Sequence, residues 1–383
     1  MNNLSAQHNK EAGVFRGWNR KYKTYLNRVQ RILFKELNYF RQIPLMTNIE
    51  LTYRCNLRCQ MCGVWGRGLA TDPSLELSYD EYVKLFRDLK DLKTQRITFS
   101  GGEPLLRNDI ERLLQELNRL KIRTNIFTNA TLLDEKKASI LIENQVNKII
   151  VSVDGFGDTH DLVRGVKGCF DMTISGVKKL IEVKKKYRSS IPGIDFHTVI
   201  SNLNFTSLGK LDRMCKDLGV NFSFQPVSES DEYSVKNSVL GEFQVGSPRY
   251  LPHQSSLHLN SEDVLMLRKE LSKLRPSLYT HIINGLSDQD LILGRLPAKR
   301  CFVTRDILFI DPFGNVFPCS NLDQYFLGNV HNQSIKKIWN NQKHRLLKQA
   351  LKEKLFPICS CCCHLDHNLT IQQMLRILLN RKL

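Results

Sequence analysis

The chain has 383 residues, of which 42% are hydrophobic and 25% charged, with eleven cysteines and a formal net charge of +18. That length buries a sizeable core in one large or two modest domains. No apolar run approaches the roughly 20 residues that cross a bilayer, and the polar start lacks the apolar stretch of a signal peptide. The cysteines are clustered and odd in number, which favours metal-bound thiols in a reducing, cytoplasmic compartment over a disulfide framework.

Residues 1–45 read as a basic extension. Its first fifteen or so residues have no periodicity, and 18–40 carry Tyr22, Tyr25, Leu26, Val29, Ile32, Leu33 and Leu37 near helical spacing. Residues 366–383 end in a short basic amphipathic helix over 374–383. Both termini concentrate positive charge and suit either contact with an anionic surface or a solvated basic face.

Between them, residues 46–227 alternate strands with helices. Strands are expected at 46–52, 96–100, 123–128, 148–153, 193–200 and 220–226. Helices are expected at 79–92, 109–120, 134–143, 171–187 and 205–218. Repeated βα units make a parallel sheet, either doubly wound or curved into a barrel. Active sites in both shapes gather at the carboxyl ends of the strands. Residues 228–299 break the pattern as an insertion and candidate lid, with a long loop over 229–260 and a helix over 260–283 broken near Pro276.

Chemistry collects at four consecutive strand ends. Cys55, Cys59 and Cys62 follow the first strand at C-x₃-C-x₂-C spacing, and three thiols within eight residues beside Asn56 and Arg58 do not look like core packing. Thiolates are iron–sulfur ligands, and three of them leave one iron of a four-iron cluster open. Structural zinc would need a fourth ligand, and none is near in sequence. Gly101, Gly102, Glu103 and Pro104 follow the second strand, where glycine lets backbone approach a ligand and carbonyls or a carboxylate accept from an amine. Thr128 and Asn129 end the third strand; Ser152 and Asp154 end the fourth.

Together these motifs resemble those of radical S-adenosylmethionine (SAM) enzymes. The resemblance implies that Cys55, Cys59 and Cys62 hold a 4Fe–4S cluster, whose open iron is chelated by the amine and carboxylate of SAM. It implies that Gly101, Gly102 and Glu103 contact that amine. The run Ser152–Gly155, with His160, Asp161, Arg164, Gly165, Gly168, Phe170 and Asp171, resembles the peptide- and cofactor-modifying branch. By that likeness Ser152 and Arg164 hold the SAM carboxylate, and Thr128 and Asn129 lie near its ribose or methionine. Met61 departs from the aromatic that many members carry beside adenine.

A second cysteine group occupies 300–365. Cys301 and Gly314-x₄-Cys319 flank a hairpin-like run over 307–318, and Cys359-Ser360-Cys361-Cys362-Cys363 follows. This resembles the SPASM extension or its shortened Twitch form, implying one auxiliary 4Fe–4S cluster on Cys301, Cys319, Cys359 and Cys362. Cys361 and Cys363 are alternatives in register, and a four-cysteine zinc ribbon would use similar spacings. Cys169 and Cys215 read as ordinary semi-buried thiols.

The expectation is therefore an α/β fold, a partial (β/α)₆ TIM-like barrel with a smaller C-terminal SPASM/Twitch-like domain. The implied activity is reductive cleavage of SAM to a radical that abstracts hydrogen from a peptide or small molecule. The auxiliary cluster would assist electron transfer, and a flavodoxin or ferredoxin would supply the electron. The alternative is a non-catalytic protein, stabilised by zinc or iron–sulfur, that binds nucleic acid or another acidic partner.

Overall fold

The computed structural model describes residues 43–228, 232–245, 257–364 and 366–368. The helices expected over 18–40 and 374–383 lie outside them. Six parallel strands form the core: β1 Met46–Thr52, β2 Arg96–Gly101, β3 Arg123–Thr128, β4 Lys148–Ser152, β5 Gly193–Ile200 and β6 Asn221–Pro226. They pair in sequence order. The crossovers carry α1 Val64–Ala70, α2 Tyr79–Asp91, α3 Ile110–Arg119, α4 Glu135–Glu143, α5 Asp158–Arg164, α6 Cys169–Lys186 and α7 Leu208–Leu218.

Alternation along the strands sorts the two faces. Ile49, Leu51, Phe99, Ile126, Val151 and Phe196 are wholly buried in the same core as Phe86, Leu89, Leu117, Val177 and Leu180 of the helices. Each such side chain contributes about 1.5–3 kcal/mol relative to exposure. The other face carries a polar row, since Asn48, Thr98, Asn125 and Lys148 are register partners across β1 to β4. Lys148 Nζ on this face pairs with Asp195 Oδ2 of β5 at 2.5 Å, so part of the row is satisfied within the sheet. Helix starts follow the sequence closely. Ser78 and Glu81 form a reciprocal capping box at α2, and Asp134 accepts from the Lys137 N–H at α4.

The C-terminal segment extends the same sheet. After a small pair formed by β7 Val239–Leu240 and β8 Phe243–Gln244 come β9 Ile307–Ile310, β10 Asn315–Phe317 and β11 Gly328–Asn329. The large sheet runs β11-β10-β9-β1-β2-β3-β4-β5-β6, with β9 parallel to β1 and antiparallel to β10. The expected hairpin therefore exists. Its turn is held by Asp311 Oδ1, which accepts from Phe313 N–H and Asn315 N–H at 2.9 Å each.

The helix expected over 260–283 is two, Ser261–Lys273 and Leu278–Asn284, parted at Pro276 with Asn260 and Ser277 as N-caps. Part of the run read as loop holds a short helix, Glu232–Lys236, and the β7–β8 pair. Helices α1, α5 and Gln342–Glu353 escaped the sequence reading; α1 and α5 span only seven residues each, too few for two periods of an apolar stripe.

Because β9 shares the core sheet, Leu308, which is wholly buried in the main core, couples the two cysteine regions. Leu308→Ala should cost about 2–5 kcal/mol. Urea unfolding followed by both far-UV dichroism and Trp fluorescence should show one common transition moving to lower denaturant. Two separated transitions would mean that the hairpin folds on its own.

Candidate active site and auxiliary cysteine site

The Cys55–Cys62 loop leaves β1 and is fixed from two sides by backbone. On one side Gly102 N–H donates to Thr52 O at 2.8 Å and Glu103 N–H to Arg54 O at 2.9 Å. On the other, Arg58 N–H donates to Arg164 O at 3.1 Å and Gln60 N–H to Val163 O at 2.9 Å. The approach is so close that a Cβ on Gly102 would lie 2.1 Å from Arg54 O, and one on Gly165 2.4 Å from Arg58 O. Gly165, with φ +70, also ends α5 in the left-handed conformation.

The loop walls a cavity with about 870 Å³ of empty space. Cys55, Cys59, Cys62, Gly101, Gly102, Thr128, Asn129, Ser152 and Arg164 all line it. Nine of the ten residues expected at this site thus meet around one space. The tenth, Glu103, is wholly buried behind the wall. Its Oε1 accepts from Leu105 N–H at 3.0 Å and Thr128 Oγ1 at 2.8 Å, and its Oε2 from Asn129 N–H at 2.8 Å. Burial pushes this carboxyl up, and those donors pull it back. The carboxylate thus ties the third strand end to the Gly101–Gly102 turn.

Asp154, Trp65, Phe127 and Val199 also line the cavity and were not among the expected site residues. Asp154 stood in the quoted motif, and Phe127 was readable from the alternation of β3. Asp154 pairs with Arg164, whose Nη1 lies 3.5 Å from Cys59 Sγ. Burial lowers the affinity of the Arg164 guanidinium for its proton, but Asp154 and Cys59 raise it overall. Arg164 Nε is buried without a hydrogen-bond partner among the described residues, while Asp154 Oδ2 is taken by the ion pair with Arg164, so the guanidinium keeps a donor suited to a carboxylate. Trp65 and Met61 both line the cavity; the Trp65 Nε1–H donates to Cys59 O at 3.2 Å, and Arg58 covers its ring.

Behind the wall, His160 Nδ1 accepts from Asp154 N–H at 3.1 Å, which puts its proton on Nε2, 3.5 Å from Cys169 Sγ. Burial, then the Arg164 charge, pushes its pKa down to about 3.

The second group also converges. Cys301, Cys319, Cys359 and Cys362 line one cavity with about 390 Å³ of empty space, walled by Val303, Leu322, Leu351 and Leu355. Cys361 and Cys363 do not line it; Cys363 Sγ lies 3.3 Å from Ser320 Oγ instead. Burial pushes the Cys359 thiol up to about 12 and raises Cys319 and Cys362 strongly. At the first site it lifts Cys55 to about 12 and Cys62 to about 11. Such thiols keep their protons until a cationic core displaces them. Among the described residues no three Cys, His, Asp or Glu side chains are arranged for a single metal ion. The thiols of each set stand around a cavity.

Comparison with known proteins agrees with this geometry. The radical SAM superfamily model matches residues 49–214, and the SPASM iron–sulfur cluster-binding domain matches 301–363. The chain is 27% identical over 333 residues to an AdoMet-dependent heme synthase of Methanosarcina barkeri, covering 83% of this chain and 88% of that one. It is 25% identical to a PqqA peptide cyclase of Bradyrhizobium diazoefficiens, covering 79% and 74%. Among solved structures, Streptococcus suis SuiB bound to S-adenosylmethionine matches with a TM-score of 0.57 at 18% identity, over 85% of this chain and 74% of that one. The chain belongs to the radical SAM superfamily and carries a C-terminal SPASM domain. It is an enzyme, and its cofactors are a 4Fe–4S cluster that binds SAM, an auxiliary cluster and SAM itself.

Two outcomes follow from this geometry. Gly102→Ala should displace the cysteine loop, so the variant should take up about half the iron of the wild type on anaerobic reconstitution, retaining only the auxiliary share. Iron and sulfide analysis reads this, and full iron content would contradict it. Second, unfolded His160 binds a proton below pH about 6.5, whereas folded His160 stays neutral to about 3. Stability should therefore fall as pH drops through that window. His160→Gln should flatten the slope of urea midpoint against pH in the apo protein.

Proposed function

We propose that Cys55, Cys59 and Cys62 hold the SAM-binding cluster and that Cys301, Cys319, Cys359 and Cys362 hold the auxiliary one. When bound and reduced, the first group supplies the electron that cleaves SAM to a 5′-deoxyadenosyl radical, which abstracts hydrogen from a peptide or small molecule. The observation that carries this reading is the single cavity shared by the three thiols, the Gly101–Gly102 backbone, Ser152 and Arg164.

Each residue then has a task. The Gly101 and Gly102 backbone receives the methionyl amine, and Glu103 keeps that turn joined to Thr128 and Asn129. The Ser152 hydroxyl and the Arg164 guanidinium suit a carboxylate, with Asp154 fixing the direction of the fork. Trp65, Met61 and Phe127 offer apolar surface to the nucleoside and keep water from its sugar. Residues 46–227 form the core, 228–299 shape substrate access and 300–365 carry the auxiliary site. The likeness to a peptide cyclase favours a peptide as substrate. A flavodoxin- or ferredoxin-like protein would deliver the electron to the Cys55–Cys62 side, and the four-thiol site would accept one from the substrate radical.

Reconstituted enzyme with dithionite and SAM should form 5′-deoxyadenosine, measured by liquid chromatography. Cys59→Ala should reduce this to background, a loss of at least about 100-fold, the scale seen when essential catalytic groups are removed. No product from wild-type protein with full iron content would overturn the reading.

A further inference from the structure

The auxiliary cavity is furnished with N–H groups aimed at sulfur. Backbone N–H groups of Val303 and Thr304 reach Cys301, that of Asn321 reaches Cys319 and that of His364 reaches Cys362. One further donor is a side chain. Asn368 Nδ2 lies 3.1 Å from Cys362 Sγ, and Asn368 lines the cavity at 3% exposure.

The orientation of this amide is set by its other end. Phe302 N–H donates to Asn368 Oδ1 at 2.7 Å, so a flipped amide would turn N–H against N–H there. The Nδ2–H therefore faces sulfur. A carboxamide is costly to bury unless both ends are bonded, and here one bond is to backbone and the other to a cysteine of the site.

We propose that Asn368 is a positioning residue for the auxiliary cluster, donating Nδ2–H to the Cys362 sulfur and raising the reduction potential of the group held there. The inference rests on the iron–sulfur reading of this cavity. Reduction places more negative charge on the cluster sulfurs, and a hydrogen bond strengthens with the charge of its acceptor. The donor thus stabilises the reduced form more than the oxidised form. That bias favours taking an electron from a substrate over giving one up.

The test uses full-length protein in which Cys55, Cys59 and Cys62 are all alanine, so that only the auxiliary cluster forms. Its midpoint potential is read by a redox titration followed by electron paramagnetic resonance. Asn368→Leu removes the donor; Asn368→Asp is isosteric, keeps the acceptor for Phe302 N–H and adds negative charge. Both should lower the midpoint, Asp further than Leu, while Asn368→Ser, which can donate through its hydroxyl, should fall between Leu and the parent. An unchanged midpoint in both Leu and Asp variants at full iron content would overturn the proposal. So would failure of both to assemble a cluster, which would make Asn368 a builder of the site. A parent protein that takes up zinc but no iron would overturn the iron–sulfur reading itself, and iron and sulfide analysis of the parent separates that case.

Discussion

A thiolate is costly to desolvate, and two sets of thiols in this chain stand around cavities. Desolvation pushes the Cys55 and Cys359 thiols up to about 12. An iron–sulfur core reverses that balance, since its positive irons favour the charged sulfur. The rest of the structure can be understood as holding those sulfurs in place. Backbone hydrogen bonds from Gly102, Glu103, Arg58 and Gln60 clamp the first loop. Leucine and valine walls, with Asn368, enclose the second site.

The two sites differ in what they leave open. Three thiols line the first cavity together with Ser152 and Arg164, whose hydroxyl and guanidinium suit a carboxylate. Four thiols line the second, which is smaller and mostly apolar. One sheet carries both: β1 leads into the first loop and β9, its direct neighbour, follows Cys301. Any movement of the hairpin relative to the barrel must therefore break strand pairing, so the separation of the two centres is fixed by the fold.

Much of this was legible in the sequence. All six core strands lie within a residue or so of expectation, because parallel strands buried on one face show alternation bounded by turn residues. The cysteine spacing and the Gly101–Pro104 turn identified the site because their chemistry is local. What was not legible depends on contacts far apart in sequence. Glu103 was expected at the ligand, and the fold spends its oxygens on Thr128, Asn129 and Leu105. That Cys359 and Cys362 line the second cavity, and Cys361 and Cys363 do not, depends on the local turn Pro357–Ser360. Asn368 shows no motif, and only its position between Phe302 and Cys362 gives it meaning.

The central claim is that one cluster is open to SAM and the other is closed. Electron paramagnetic resonance of the reduced, reconstituted protein, recorded with and without SAM, tests it most directly. SAM should shift the signal that disappears when Cys55, Cys59 and Cys62 are replaced by alanine, and leave the other signal unchanged. A spectrum in which SAM moves neither signal, or moves that of the Cys301, Cys319, Cys359 and Cys362 site, would contradict the account.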